Sequence, residues 1–451
     1  MSTPIAVADS LPRDLGNGLV LRLSNRADLE ALADFNKWVH RDLGVTEPDE
    51  PVAEWTRGLL SRDHPTFGEH DFTIVAEKAT GRIVSTLNLI SQTWTYEGIP
   101  FGVGRVELVG TAPEYRKRGL IRLQFDVVHQ LSAERGEPVQ AITGIPYYYR
   151  QFGYEMAMDL SGGRIGYLAS IPVLKEGQVE PFVLRRVVED DLEFVLELER
   201  LSARRSLVHA PRDARLWHYE IFERRPGDVQ RLEWRILQTA AGEPVGMAGF
   251  SPHPWGGSRI ALLWFELAAG WSFVETAASL LRGLRPEGDA ILAAKGKTLS
   301  GIQFQLGEHH PAYDANQERL PHIRPPYAWY LRVPDLPGFL RTIAPALEER
   351  LAGSFAAGHS GELKLSFYRS GLRIILERGR FATIEPWTPV ITQDEGHAAF
   401  PDLTFLQLVF GYRTFAELRQ ARPDAWADGD EARGLLTALF PRRYSRFIPI
   451  S

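Results

Sequence analysis

A basic loop, Arg116-Lys117-Arg118-Gly119, has the residue types and the spacing that suit an anionic ligand. It follows a short apolar strand and precedes a segment, starting at Leu120, in which apolar residues recur at helical spacing. Backbone N–H groups at a helix start lack internal acceptors, and the helix dipole adds partial positive charge there. Gly119 would let a phosphate approach the backbone closely. The stretch alone is equally compatible with a solvated basic turn, so the flanking segments are needed to decide.

The segments around the loop predict a mixed α/β fold. Strand 106–109, with Glu107 as its charged residue, precedes the loop, and VQAITGI and then YYYRQFGYEMAM follow the helix. This order resembles the GNAT N-acetyltransferases, whose acetyl-CoA loop has the pattern Arg/Gln-x-x-Gly-x-Gly/Ala. Arg116 and Gly119 match that pattern, while Ile121 stands in its last position. The resemblance implies an enzyme that uses acetyl-CoA as co-substrate and needs no metal.

The amino-acid composition argues against some kinds of binding partner and in favour of others. The chain has 451 residues, 44% of them hydrophobic, a net charge of −6 and no cysteine. An acidic balance disfavours nucleic acid as a partner and favours a cationic substrate such as an amine. The sequence contains no apolar run of membrane-spanning length, and the first residues lack the apolar core of a signal peptide. We therefore expect a cytoplasmic protein that does not bind membranes. Without cysteine there is no disulfide and no thiolate site.

An internal repeat predicts a second copy of the first domain. VLRLSNRADLE at 20–30 returns as VLRRVVEDDLE at 183–193. The counterpart of the central strand and helix is the segment 259–281, where Ala268-Ala269-Gly270-Trp271 replaces the basic loop. Without basic residues a pyrophosphate has little to bind, so we expect the second copy to be catalytically empty.

The C-terminal part predicts a small α+β unit with two strands and several amphipathic helices. An active GNAT domain, a degenerate one and a small C-terminal domain resemble, in that order, the enhanced intracellular survival (Eis) acetyltransferases. The expected fold class is α/β (α+β): two tandem GNAT-fold domains with mixed sheets, and a C-terminal domain similar to sterol carrier protein (SCP2-like). The resemblance also implies a homo-oligomer, a hexamer in that family. The predicted boundaries are an N-terminal arm 1–17, a catalytic domain 18–165, a degenerate domain 166–330 and a C-terminal domain 331–451.

Acetyl transfer from a thioester to an amine needs a proton donor for the departing thiolate. A tyrosine suits this role, because a phenol is neutral near pH 7 and tolerates a partly apolar cleft. The candidates are Tyr147, Tyr148, Tyr149 and Tyr154. In the GNAT family the general acid lies four residues before the glycine of Tyr-x-x-Phe-Gly-Tyr, and this resemblance selects Tyr149. A packing role, or one of the neighbouring tyrosines as the acid, is the alternative.

Two carboxylates are candidates for the base. In Eis-type enzymes the terminal carboxylate reaches the first active site, which points here to Ser451, although Ile450-Ser451 depart from the aromatic and acidic ending of that family. Glu107 is the second candidate, because several GNAT enzymes keep a glutamate there as a water-mediated base. Strand alternation would place it on the same face as Val109. An ion-paired strand glutamate is the competing interpretation.

The remaining predicted contacts concern the two substrates. By resemblance, the main chain of Val109 and Thr111 contacts acetyl-CoA, and the basic loop binds its phosphates. Trp55 and Trp38 are candidates for the amine pocket, because indole faces attract cations, although core packing is more common for either. A metal site at His309-His310 is disfavoured beside Pro311.

The predicted function is acetyl-CoA-dependent N-acetyl transfer to primary amines of the aminoglycoside, lysine or polyamine type, by direct attack in a ternary complex. The alternative is a non-catalytic regulatory protein that binds CoA or lipid. The intact basic loop favours the enzyme, because a chain that had lost turnover would be expected to lose that loop.

Overall fold

The computed structural model describes residues 7–42, 44–390 and 393–448. In chain order its strands are β1 (Arg13–Gly16), β2 (Leu19–Leu23), β3 (Phe72–Glu77), β4 (Ile83–Tyr96), β5 (Ile99–Thr111), β6 (Val139–Ile142), β7 (Glu155–Leu160), β8 (Gly163–Tyr167), β9 (Phe182–Arg186), β10 (Val208–His209), β11 (Glu233–Thr239), β12 (Pro244–Phe250), β13 (Arg259–Leu267), β14 (Gly301–Phe304), β15 (His322–Arg324), β16 (Tyr327–Arg332), β17 (Gly361–Ser366), β18 (Gly371–Glu377), β19 (Arg380–Trp387), β20 (Ala398–Ala399) and β21 (Trp426–Ala427).

The α-helices, in the same order, are α1 (Leu29–Val39), α2 (Glu50–Leu59), α3 (Leu120–Glu134), α4 (Leu192–Ala203), α5 (Ala214–His218), α6 (Phe273–Ala293), α7 (Pro311–Asp314), α8 (Leu336–Ala352), α9 (Phe405–Val409), α10 (Phe415–Ala421) and α11 (Gly429–Leu439). No helix in the described ranges is both long and apolar enough to cross a membrane.

The first sheet has the order β1-β2-β3-β4-β5-β6-β16-β7, with β10 paired to β4. Its strands are antiparallel except for the neighbours β5 and β6. The helix between these two, α3, buries Leu120, Phe125 and Val128 against the sheet and ends before Gly136, whose φ is +69°. A glycine with positive φ is a common way to end a helix. The sequence therefore folds locally as strand, loop, helix and parallel strand.

The second sheet has the order β15-β8-β14-β13-β12-β11-β9, and its one parallel neighbour pair within the described residues is β13 with β14. The two sheets exchange strands. β8 follows β7 in the chain but pairs in the second sheet, whereas β16 comes after all the strands of the second sheet and inserts between β6 and β7 of the first. At the crossing, a Cβ on Gly163 would lie 1.8 Å from the Phe304 carbonyl oxygen, so this close approach requires glycine.

The repeat in the sequence has a structural counterpart at the start of each sheet. Arg22 makes a bidentate ion pair with Asp28, at 2.6 and 2.7 Å, and Arg185 makes the same pair with Asp191 at the same distances. In both copies the aspartate also accepts from a backbone N–H three residues before it. Identical residues at identical spacing therefore fix the same strand-to-helix turn twice.

The C-terminal sheet has the order β19-β18-β17-β20-β21, with α8 and α11 packed beside it. Its apolar core is continuous with one face of the first sheet, because Phe339 of α8 stacks edge-on against Phe101 of β5 at 5.2 Å. Tyr96 of β4 donates a hydrogen bond to the Val409 carbonyl at 2.7 Å, and Glu97 pairs with Arg350 at 2.7 Å. The mixed α/β class predicted from the sequence is confirmed.

Candidate active site

A cleft opens where β5 and β6 separate. The two strands pair in parallel as far as Arg105 opposite Ala141; β5 then continues to Thr111, while β6 ends at Ile142. Beyond Arg105 the edge of β5 is therefore left without its parallel partner. The space between the strands and the start of α3 is a cavity of about 950 Å³, which we call the central cleft.

A bulge in β5 shapes one wall of this cleft. Leu108 has a φ of +50°, and the pairing of β5 with β4 shifts there by one residue. Leu108 packs among the residues under α1 and α2, whereas Val109 packs with Val106 on the α3 side. The bulge inserts an extra residue between Glu107 and Val109, so the simple alternation expected from the sequence is interrupted there. Both residues still line the central cleft.

The basic loop supplies backbone donors to this cleft. Lys117 and Gly119 both have positive φ, at +62° and +74°, so the chain curves tightly before α3. Gly119 caps the helix without a side-chain hydrogen bond. Among the residues that the structure describes, none accepts a hydrogen bond from the backbone N–H groups of 117–122. Such converging N–H groups at a helix start form an anion-binding concavity.

The side chains of the loop are exposed and differ in their contacts. Arg116 donates through Nε to the Thr111 carbonyl at 3.3 Å, which ties the loop to the end of β5. The Arg118 guanidinium lies 4.6 Å from the ring centre of Tyr115. Lys117 has no ion-pair partner in the described part of the chain, so its ammonium group is available to a ligand. All three line the central cleft together with Gly119.

Tyr149 reaches the cleft from a short 3-10 turn, 149–152, which follows the loop after β6. Its side chain is 3% exposed, and its hydroxyl makes no hydrogen bond with any residue in the described ranges. Burial, and after it the Glu107 carboxylate, raises the pKa of Tyr149 well above its usual value. The phenol is therefore protonated at neutral pH and has its proton free for a ligand.

Glu107 lies in the floor of the cleft and is held through one of its oxygens. Oε1 accepts from Arg105 at 2.7 Å and from Thr143 at 3.5 Å. Arg105 is almost fully buried and stacks over Trp329 at 5.7 Å. The ion pair with Arg105 holds the Glu107 carboxylate in a fixed orientation at the floor of the cleft.

The predicted amine-pocket residues lie apart. Trp55 of α2 is buried, lines the central cleft, and has an indole N–H with no acceptor among the described residues. Trp38 is 44% exposed, contacts Arg41, and faces a neighbouring cavity of about 890 Å³. Ser451 lies outside the described residues. The structure therefore brings Tyr149, Glu107, Trp55 and the basic loop together but not Trp38.

Two residues that the sequence pattern missed complete the wall of the cleft. Val229 and Gln230 come from the loop before β11, far along the chain from the basic loop. The Val229 N–H donates to the Pro51 carbonyl at the start of α2, at 3.2 Å. No local motif marks these residues, because they reach the cleft only through packing between the two sheets.

A buried ion cluster holds this loop. Arg224, with 1% of its side chain exposed, pairs with Glu220 at 2.6 Å and with Asp228 at 3.2 Å.

Replacing Arg224 by alanine leaves two buried carboxylates without their shared cation. We expect the free energy of unfolding in urea to fall by about 3–5 kcal/mol. Arg225→Ala is the matched control: its half-exposed pair with Glu54 should contribute less than about 1 kcal/mol. Equal losses from both variants would contradict the assignment.

The loop of the second sheet that leads to its long helix, residues 268–272, has no basic side chain. This loop leads to α6, where the Ser272 hydroxyl already accepts from the N–H groups of Val274 and Glu275. Beside the loop, the ring of His310 forms a hydrogen bond with the carbonyl of Phe265 in β13, at 3.1 Å. The histidine of the sequence pair is thus used in packing, and the described residues contain no group of three potential ligands for a metal.

A second cavity, of about 520 Å³, adjoins the central cleft. The two share Glu107 and Thr143 from the first sheet, and Val229 and Gln230 from the loop before β11. The two cavities therefore meet at Glu107.

Comparison with known proteins finds a similar domain and similar folds. Residues 26–157 match the family model of the acetyltransferase (GNAT) domain. This range holds the basic loop, Tyr149 and Glu107. No curated protein sequence matches the chain. Residues 26–157 are therefore similar to a GNAT acetyltransferase domain, and the prediction that the chain is an enzyme of the acyl-transfer class is confirmed.

Solved structures with the same fold cover nearly the whole chain. A probable N-acyltransferase from Enterococcus faecalis superposes with a TM-score of 0.61 at 14% identity, covering 95% of this chain and 97% of that one. A GCN5-related N-acetyltransferase from Anabaena variabilis gives 0.60 at 16%, covering 96% and 98%. Eis1 from Mycobacterium abscessus gives 0.57 at 14%, covering 95% and 98%. At these identities the likeness establishes the fold.

Proposed function

We propose that the chain transfers an acetyl group from acetyl-CoA to a primary amine by direct attack in a ternary complex. The observation that carries the proposal is the convergence, in one cleft, of the N–H groups of 117–122, the open edge of β5 and the unbonded phenol of Tyr149. These groups match the three parts of the co-substrate: the phosphates, the pantetheine amides and the thioester.

The phosphates fit the basic loop. The N–H groups at the start of α3 would donate to phosphate oxygens, and Lys117 and its basic neighbours would add charge. The open edge of β5, which includes the main chain of Val109 and Thr111, can pair with an extended amide-bearing chain as a further strand would. The thioester then lies near the bulge at Leu108.

The chemistry of the step assigns a role to each titratable group. The amine nitrogen attacks the thioester carbon, and the carbon–sulfur bond breaks as the tetrahedral oxyanion collapses. Tyr149 gives its proton to the departing thiolate sulfur. Glu107 takes the first proton, which the ammonium must lose before it attacks, directly or through water. The second proton, which the nitrogen loses as the amide forms, restores the Tyr149 phenol. Holding both substrates in adjoining cavities makes the attack effectively unimolecular.

Glu107 is the base that we assign among the described residues. Replacing it with glutamine keeps the shape and the contact with Arg105 but removes the proton acceptor. We expect kcat to fall by about tenfold to a hundredfold at neutral pH, and to recover partly as pH rises and the free amine becomes abundant. A rate and a pH profile like those of the wild type would overturn this assignment.

Initial-rate kinetics test the order of the reaction. With both substrates varied, a ternary complex gives reciprocal plots that intersect, whereas a covalent acetyl-enzyme gives parallel lines. We expect intersecting lines, because the described part of the cleft offers Tyr149 and Glu107 but no thiol.

The resemblance to Eis-type enzymes further predicts a hexamer, an SCP2-like C-terminal domain and a cytoplasmic location, which stay predictions.

A further inference from the structure

The lining of the second cavity includes two buried oxygen atoms for which the described ranges offer no hydrogen-bond partner. Asp159 of β7 is 7% exposed, Gln305 after β14 is 5% exposed, and both line this cavity. Asp159 Oδ1 and Gln305 Oε1 have no partner in the part of the chain that the structure describes. Buried polar atoms are normally bonded, so two unbonded oxygens on residues that line one cavity point to a ligand that donates hydrogen bonds.

The Asp159 carboxylate is only loosely paired. Its Oδ2 lies 3.4 Å from Arg442 Nη2, and that guanidinium is nearer to Glu308, at 3.0 Å. Burial raises the pKa of Asp159 to about 6 despite the Arg442 charge. A carboxylate in this position gains a strong interaction from any added cation. The outer torsions of Asp and Gln side chains are soft, so either oxygen can turn towards a ligand at little cost.

Two arginine side chains line the second cavity, and each contacts another residue of the protein. Arg105 pairs with Glu107, and Arg446 donates to the Leu263 carbonyl. The aromatic surfaces of Trp329 and Phe447, stacked 5.7 Å apart, form an apolar part of the wall. The cavity thus joins an apolar wall to an acidic end, with Glu107 at its junction with the central cleft.

We infer that the acceptor is a diamine or polyamine-type molecule, whose second ammonium group is bound by Asp159 and Gln305 while its reacting amine lies at Glu107. This inference rests on the proposed function and names the substrate class for the same site. The methylene segment of the acceptor would lie along the apolar wall. A monoamine of equal length would react without using Asp159.

The test compares putrescine with butylamine, which have the same number of carbons. In Asp159→Asn we expect kcat/KM for putrescine to fall by about tenfold to a hundredfold, mainly through KM, since a charged hydrogen bond is lost. The kcat/KM for butylamine should change less than about twofold. Glu308→Gln is the matched control, because it removes an equal charge beside Arg442 but outside the cavity; it should leave the putrescine preference intact. Gln305→Ala should also lower kcat/KM for putrescine, but by a smaller factor.

The outcomes separate the inference from the proposed function. Turnover in which Asp159→Asn affects both amines equally, or neither, overturns the inference and leaves the enzyme intact. Calorimetry of putrescine binding to the complex with CoA, which has no acetyl group to transfer, provides a readout that does not need turnover. Putrescine binding that is lost in Asp159→Asn supports the inference even without turnover, and binding that is unchanged overturns it.

Discussion

Replacing Tyr149 by phenylalanine should lower kcat at least about a hundredfold while leaving the Kd for acetyl-CoA within about twofold. The hydroxyl is the proton that the departing sulfur needs, and its raised pKa keeps it protonated throughout the physiological range. The ring itself packs edge-on against Tyr148 and Tyr330, and phenylalanine preserves that packing. Steady-state rates and calorimetric binding on the same preparations separate the two quantities.

Tyr148→Phe is the matched control for this prediction. Tyr148 also lines the central cleft, is more exposed than Tyr149, and has a pKa that burial raises. Its substitution should leave kcat within a few-fold of the wild type. A full rate in Tyr149→Phe, or a hundredfold loss in Tyr148→Phe instead, would show that the general acid has been assigned to the wrong residue.

Reversing the charge of Lys117 should raise the Kd for acetyl-CoA by about a hundredfold at low salt. Glutamate there would place a negative charge beside the N–H groups that we assign to the phosphates, and would replace an attraction with a repulsion. The kcat at saturating acetyl-CoA should stay near the wild-type value, because Lys117 does not touch the reacting atoms. The effect should shrink as salt rises, since the loop is exposed.

The backbone makes Lys117→Glu a clean substitution. Lys117 has a φ of +62°, and lysine and glutamate pay a similar conformational cost there. The side chain has no ion-pair partner among the described residues, so no fold contact is lost. Lys175→Glu, on an exposed loop before β9, makes the same change of charge far from the cleft. Similar binding losses in both variants would contradict a phosphate site at the basic loop.

Local sequence signals predicted the elements that position the site. The apolar spacing from Leu120 predicted α3, which the structure places at Leu120–Glu134. Gly119 has positive φ at the start of α3, where the pattern required a residue that lets the backbone come close to an anion. These features depend on residues a few positions apart, and so the sequence contains the information directly.

Features built from distant residues could not be predicted in this way. The bulge at Leu108 depends on the pairing of β5 with β4, because an apolar residue in a strand carries no sign of positive φ. The insertion of β16 beside β6 joins residues that are far apart in the chain. Val229, Asp159 and Gln305 are ordinary residues in sequence and gain their roles only when the two sheets meet.

Whether the protein transfers acetyl groups from acetyl-CoA to amines can be tested directly by measuring free-thiol release. The assay uses the full chain and a panel of amines. The panel would hold putrescine, butylamine, a lysine derivative and an aminoglycoside, with mass spectrometry of the products. We expect thiol release that depends on the amine, with a gain of one acetyl group at each modified nitrogen. Tight binding of acetyl-CoA at the basic loop, with no release above the buffer rate from any amine, would contradict it.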